Sequence, residues 1–409
     1  MTHQLTFVIV GASLAGAKAA ETLRLDGFDG RVVLIGEEAE RPYERPPLSK
    51  ARLRGEQDAA EIFVHDEGFY AQNDIELRAS TRVTAVDPTG ALVQTDDGER
   101  IGYDRLLLAT GARPRRLDVS GSDLAGIHYL RTVGDCDRLR EALRSTSRLA
   151  VIGAGWIGSE VAASARQLGV DVALVAPEAT PLARVLGPEV GAVYRDLQAE
   201  HGVELHLDTS VDAFVGDRRV EGVRTTDGNV VAADLVVVGV GVEPRTELAG
   251  AAGLHLDNGI AVDAHLQSSA PGVYAAGDVA AAWHPALGRR IRVEHWANAL
   301  NQGIAAAKNM VGTPTAYDRV PYFFSDQYDL GMEYAGYTTS WDQVVFRGDP
   351  ATREFIAYWL EGGRVVAGMN ANVWDVNDKI KALIASGRPV SADRLRDLTV
   401  PLDELVDAT

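Results

Sequence analysis

Glycines at fixed spacing are the first residues in this chain that point to chemistry. Gly153-Ala154-Gly155-Trp156-Ile157-Gly158 is a complete G-x-G-x-x-G run, and Gly11-Ala12-Ser13-Leu14-Ala15-Gly16 is the same run with Ser13 in the middle position. In such a run the first glycine permits a tight turn and the second lets backbone approach a pyrophosphate. The third packs a helix whose N-terminus favours the anion. The pattern means little alone. It indicates dinucleotide binding only where a strand precedes it and a helix follows.

Both runs have that setting. Leu5-Thr6-Phe7-Val8-Ile9-Val10 reads as a strand before the first, and Ala19, Ala20 and Leu23 keep helical spacing after it. The next strand, Arg31-Val32-Val33-Leu34-Ile35, leads to Glu37, where a carboxylate can accept hydrogen bonds from ribose hydroxyls. The second run lies between the strand Arg148-Leu149-Ala150-Val151-Ile152 and a helix reaching Leu168, followed by the strand Asp171-Val172-Ala173-Leu174-Val175. After Val175 come Ala176 and Pro177, and the first acid is Glu178. No arginine stands there to receive a 2′-phosphate, so NADH is expected over NADPH.

Continuous apolar strands suit a parallel sheet buried on both faces. Leu106-Leu107-Leu108-Ala109-Thr110-Gly111 closes the first unit, and Asp234-Leu235-Val236-Val237-Val238-Gly239 closes the second. Gly272-Val273-Tyr274-Ala275-Ala276-Gly277-Asp278 is a further strand ending in an acidic turn. From about Pro321 the texture changes to alternating stretches such as Gln343-Val344-Val345-Phe346, which read as antiparallel strands. The expected class is α/β, with two Rossmann-like dinucleotide-binding domains in a glutathione-reductase-like arrangement and a smaller α+β C-terminal domain. The segments are 1–113 with 241–320 for FAD, 114–240 for NAD, and 321–409 for the last domain.

Composition removes several other classes. Of 409 residues, 46% are hydrophobic and 24% charged, which is globular rather than disordered. A formal net charge of -18 argues against a nucleic-acid partner, which needs lysine and arginine in excess. No run approaches the roughly eighteen apolar residues of a spanning helix, and a cytoplasmic protein is expected. Cys136 is the only cysteine, so no intrachain disulfide can form; it reads as a packing residue.

Several motifs in order give the chain a wider resemblance. They are Arg41-Pro42-Tyr43-Glu44-Arg45-Pro46-Pro47-Leu48-Ser49-Lys50, Ala109-Thr110-Gly111, the second glycine run ending in Glu160, Gly277-Asp278, Glu294-His295-Trp296-Ala297-Asn298-Ala299 and Ser325-Asp326-Gln327. Together they resemble the FAD-dependent NADH:ferredoxin reductases of bacterial oxygenase systems, the putidaredoxin reductase-like family, along essentially the whole chain. The resemblance implies that Lys50 lies beside flavin N5, held by Glu160, which also accepts from the nicotinamide carboxamide. It implies FAD contacts at Gly11, Ser13, Ala15, Gly16, Glu37, Arg45, Val83, Ala109, Thr110, Gly111, Arg131, Gly277, Asp278, Glu294, Trp296 and Ala297. NAD(H) contacts are expected at Gly153, Gly155, Ile157, Gly158, Glu160, Glu178 and Gly241. The helix from Trp296 to Met310 is expected to point its N-terminus at the flavin's pyrimidine edge. Phe324 stands where relatives often carry tryptophan. No metal ligand set is expected.

Nothing near Lys50 offers the redox cysteine that disulfide reductases of this fold carry, so electrons must leave the flavin directly. Nicotinamide gives two electrons at once and a ferredoxin takes one, and a flavin reconciles the two. The implied acceptor is a two-iron ferredoxin feeding a monooxygenase or dioxygenase. Such ferredoxins are usually acidic, so docking needs local cations, and Arg289, Arg290, Arg292, Lys379 and Lys381 are the candidates. Rubredoxin or a small quinone-like molecule is an alternative acceptor, and an NADH-sensing flavoprotein like apoptosis-inducing factor is the rival class. Monomer and homodimer are both compatible with the sequence.

Overall fold

The computed structural model describes residues 4–407. The chain divides into two compact units. One holds residues up to Glu44, Ala59–Arg113 and Glu243–Arg319; the other holds Arg45–Asp58, Pro114–Val242 and residues from Val320 onward.

The first unit is built on a five-stranded parallel sheet in the order Val273–Ala275, Arg105–Leu108, Thr6–Val10, Arg31–Ile35, Ile75–Arg78. Its strands are apolar without alternation because both faces are covered: Phe7, Val8, Ile9 and Val10 are all at most 5% exposed. The turn out of Thr6–Val10 is as tight as backbone allows. Gly11 has φ 118°, and a Cβ there would lie 2.1 Å from the Ala109 carbonyl oxygen. The helix Leu14–Leu25 then packs on the helix Trp296–Met310, close enough that a Cβ on Gly303 would meet the Ala15 oxygen at 2.3 Å. Two three-stranded sheets complete the unit: an antiparallel one of Val83–Asp87, Leu92–Thr95 and Arg100–Gly102, and a mixed one in which Ala280–His284 pairs parallel with Ile260–Val262 and antiparallel with Arg289–Arg292.

The second unit repeats the plan. Its parallel sheet runs Glu204–His206, Asp171–Val175, Arg148–Ile152, Leu235–Val238, Ile127–Tyr129. The helix Trp156–Gln167 follows the glycine turn, and the helix Ala183–Glu200 follows Asp171–Val175. That second helix breaks at Gly187, whose φ is 77°, just before Pro188. The break presents the Leu186 carbonyl to Trp359 Nε1 at 3.1 Å.

Trp359 belongs to a five-stranded antiparallel sheet of the same unit, ordered Tyr322–Gln327, Leu330–Gly336, Arg364–Ala371, Glu354–Glu361, Gln343–Asp349. Leu186, Val190, Tyr194 and Leu197 of the broken helix share one core with Phe323, Met332 and Trp359 of this sheet. The other sheet face is covered by Ile380 and Leu383 of the helix Asn377–Ser386. The fold is therefore the expected α/β class: duplicated parallel sheets with a C-terminal antiparallel layer. Among the described residues no helix is long and apolar enough to cross a membrane, and no group of side chains could hold a metal ion.

Candidate functional site

The second glycine turn separates two glycines closed in by backbone from one that faces open space. A Cβ on Gly158 would lie 1.9 Å from the Gly153 oxygen, and one on Gly153 would lie 2.4 Å from the Gly239 oxygen. Both positions are closed by the turn itself. At Gly155 an added Cβ meets nothing within 4 Å. Open space over the middle glycine, at the N-terminus of the Trp156 helix, fits a pyrophosphate approaching backbone. Ile157 beside it is 44% exposed, and Gly241 has φ 97° and accepts from the Arg115 amide at 2.9 Å.

Glu178 lies at the far edge of that turn, and here the structure corrects the sequence. An arginine does stand beside it: Arg184 Nε is 2.6 Å from Glu178 Oε1. Leu182 takes a left-handed conformation and donates its amide to the Ala154 oxygen at 2.9 Å. That fold-back starts the Ala183 helix next to the glycine turn and returns Arg184 to the acid.

The first turn has the same shape with one change. A Cβ on Gly16 would meet the Gly11 oxygen at 2.0 Å, and Ser13, in extended conformation, makes no cap bond with the helix it precedes. Glu37 is joined to Thr110 and Gly111 by Arg245, which sequence reasoning did not single out. Arg245 pairs with the Glu37 carboxylate, its amide donates to the Gly111 oxygen at 3.0 Å, and its carbonyl accepts from Thr110 Oγ1 at 2.8 Å. Arg82 adds a second ion pair to Glu37 at 3.3 Å. Gly277 packs against Ala15 and donates to Gln302 Oε1 at 2.9 Å, while the Asp278 carbonyl accepts from Arg292. Val83, Ala109 and Ala297 are buried, Trp296 opens its helix after His295, and Glu294 pairs with Arg292.

Arg45, Lys50 and Arg131 belong to the second unit. Arg45 donates to the Arg131 carbonyl. Lys50 caps the short helix Pro46–Ser49, and its Nζ lies 2.9 Å from Glu160 Oε2, with side chains 12% and 4% exposed. Ser49 Oγ donates to the same oxygen at 2.5 Å, and Ser325 Oγ donates to Glu160 Oε1 at 2.7 Å. A carboxylate this deep is tolerated because an ammonium and two hydroxyls satisfy it. Lys50 also donates to the Pro46 carbonyl at 3.2 Å and lies 5.7 Å from the centre of the Phe324 ring. Burial, then the charges of Glu160 and Asp326, push the Tyr194 hydroxyl well above its usual range.

The candidate docking cations are committed within the chain. Arg290 donates to the Val262 and Ala281 carbonyls and lies 3.5 Å from Asp257; Arg292 pairs with Glu294. Lys379 lies 3.1 Å from Asp403, and Lys381 lies 3.3 Å from Asp378 and over the Tyr322 ring. Arg289 is exposed at the start of its strand. Cys136 is fully buried on the helix Val133–Leu143, and burial pushes its thiol up to about 11.

Residues 5–303 match the pyridine nucleotide-disulphide oxidoreductase family, and residues 322–406 match the reductase C-terminal family. The chain is 41% identical to the ferredoxin reductase subunit of 5,5'-dehydrodivanillate O-demethylase from Sphingobium sp., over 98% of each chain. It is 42% identical to the ferredoxin--NAD(+) reductase component of the anthranilate 1,2-dioxygenase system from Burkholderia cepacia, over 97% of this chain and 98% of that one. Among solved structures, the covalent putidaredoxin reductase-putidaredoxin complex aligns with a TM-score of 0.94 at 38% identity, covering 98% of both chains.

Proposed function

We propose that this chain, which belongs to the pyridine nucleotide-disulphide oxidoreductase family and within it to the ferredoxin reductases of oxygenase systems, carries electrons from NADH through FAD to a small iron–sulfur ferredoxin. Bound FAD supplies the conversion of a two-electron hydride into single electrons. The protein's part is to hold the two dinucleotides and to fix charge where electrons collect.

The observation that carries this reading is the Lys50–Glu160 pair. Glu160 sits on the helix that opens the NAD glycine turn, so one element serves both the pyrophosphate and the charged pair. A carboxylate offers about four acceptor sites. Lys50, Ser49 and Ser325 take three of them, which leaves one for the nicotinamide carboxamide. In this reading Lys50 supplies the positive charge that an electron-rich flavin requires, and Glu37 accepts from the FAD ribose. No cysteine accompanies Lys50, so no thiol relay intervenes. A ferredoxin of the two-iron type feeding an oxygenase, in the cytoplasm where NADH is made, completes the proposal.

Anaerobic titration tests it. One equivalent of NADH should bleach the bound flavin, NADPH should do so far more slowly, and the reduced enzyme should reduce two-iron ferredoxins in a panel. A flavin reduced by NADH that passes electrons to none of them, but readily to rubredoxin or a quinone, would replace the acceptor. Slow, air-stable reduced flavin would favour the sensing class.

A further inference from the structure

The Ser325-Asp326-Gln327 run enters the reading above only as one hydroxyl on Glu160, yet the structure commits it heavily. The strand Tyr322–Gln327 alternates, as strands do, and places Phe323, Ser325 and Gln327 on one buried face. Trp156 and Glu160 lie four residues apart on the helix Trp156–Gln167, hence on one side of it. Four helical residues advance about 6 Å and two strand residues about 6.6 Å. The two spacings match, and the elements mesh accordingly. The Phe323 and Trp156 rings have centroids 4.8 Å apart, and one step along, Ser325 Oγ reaches Glu160 Oε1 at 2.7 Å. A further step along, Gln327 Oε1 accepts from Gln198 Nε2 at 2.9 Å, and Gln198 also donates to the Ser159 carbonyl at 3.1 Å.

We propose that Ser325 is a positioning residue for Glu160, and through Glu160 for the Lys50 ammonium. Glu160 has two oxygens with different duties. Oε2 receives Lys50 and Ser49, both from the Arg45–Asp58 segment, whereas Oε1 receives Ser325. Without the Ser325 hydroxyl the carboxylate can rotate about its last torsion, which is soft in glutamate. The ring contact on one side and the glutamine pair on the other fix the strand, so Ser325 cannot slide away. The inference rests on the proposed electron-transfer reading, because it concerns what Glu160 and Lys50 do for flavin reduction.

The test is a double-mutant cycle on the FAD-loaded enzyme. Ser325→Ala is expected to lower the limiting rate of flavin reduction by NADH about tenfold, the scale of one hydrogen bond to a charged group. The NADH concentration giving half that rate should stay within about twofold, and Ser325→Thr should restore the rate. In a Glu160→Ala background, Ser325→Ala should add nothing, since its only route is gone. The flavin midpoint potential, read by dye equilibration with no NADH present, should move in Ser325→Ala and not move again on top of Glu160→Ala. If the alanine variant does not yield yellow protein, Ser325→Cys, a weaker donor, should give an intermediate rate. Equal losses in both backgrounds, or no change in rate and potential, would overturn the proposal. A wild-type flavin that NADH does not reduce would instead overturn the functional reading and leave the potential as the measure of Ser325.

Discussion

Arg184 Nε stands 2.6 Å from Glu178 Oε1, on a segment tied to the glycine turn by the Leu182 amide and the Ala154 carbonyl. If the NAD ribose reaches this turn, the pair is placed to bias the choice of coenzyme. The Glu178 carboxylate can accept from a ribose 2′-hydroxyl, disfavours a 2′-phosphate, and offers Arg184 a competing partner. Glu178→Gln is therefore expected to raise kcat/KM for NADPH about tenfold and to lower it for NADH. Adding Arg184→Ala should abolish the gain. An NADPH value unchanged in Glu178→Gln would remove the pair from coenzyme selection.

Lys50 and Glu160 should not be interchangeable in their loss. Lys50→Ala leaves a buried carboxylate that still has Ser49 and Ser325, whereas Glu160→Ala leaves an ammonium that still donates to the Pro46 carbonyl. Removing one member of a buried pair costs up to about 3–5 kcal/mol, and the survivor that keeps more hydrogen bonds suffers less. Glu160→Ala is expected to lower the melting temperature more than Lys50→Ala, and both should slow flavin reduction by NADH at least about tenfold. Stopped-flow traces indistinguishable from wild type for both variants would end the assignment.

How much of this was legible from sequence depends on the range of the interaction. The strands Arg31–Ile35, Arg148–Ile152 and Asp171–Val175 and the helix Trp296–Met310 are readable in place, because burial on both faces leaves continuous apolar runs and the helix is rich in helix formers with no interior proline. Partners are another matter. Ser325 meets Glu160 from 165 residues away and Arg245 meets Glu37 from 208, and periodicity reports which face a residue occupies but not what faces it. Ser49 and Ser325 did carry a signal, as the small hydroxyl residues inside two motifs. Arg184 carried none, since it returns to Glu178 only through the left-handed turn at Leu182.

Cys136 should be chemically silent. It is fully buried, and burial raises its thiol to about 11, so at pH 8 about one thiol in a thousand is ionised. The native enzyme should not react with a disulfide reagent at that pH, and one equivalent should appear on unfolding. Cys136→Ala should keep full transfer from NADH to ferredoxin. Loss of acceptor reduction in that variant, with flavin reduction by NADH intact, would reinstate a thiol relay.

Docking must work against a net charge of -18, so the local balance around each cation decides the outcome. Arg292 is a poor choice for an experiment, because its side chain is 9% exposed and its reversal would disturb the fold. Lys379 and Lys381 are better placed: both are partly exposed, on one helix, and paired with the largely exposed acids Asp403 and Asp378. Exposed pairs of this kind hold each other by only about 0–1 kcal/mol, so an acidic ferredoxin can compete for the lysines. Lys379→Glu with Lys381→Glu is expected to raise the KM for an acidic two-iron ferredoxin several-fold in low salt, with ferricyanide reduction unaltered. The difference from wild type should shrink as ionic strength rises, because screening removes the attraction being tested. A ferredoxin KM that stays the same at every salt concentration would place the docking surface elsewhere on the molecule.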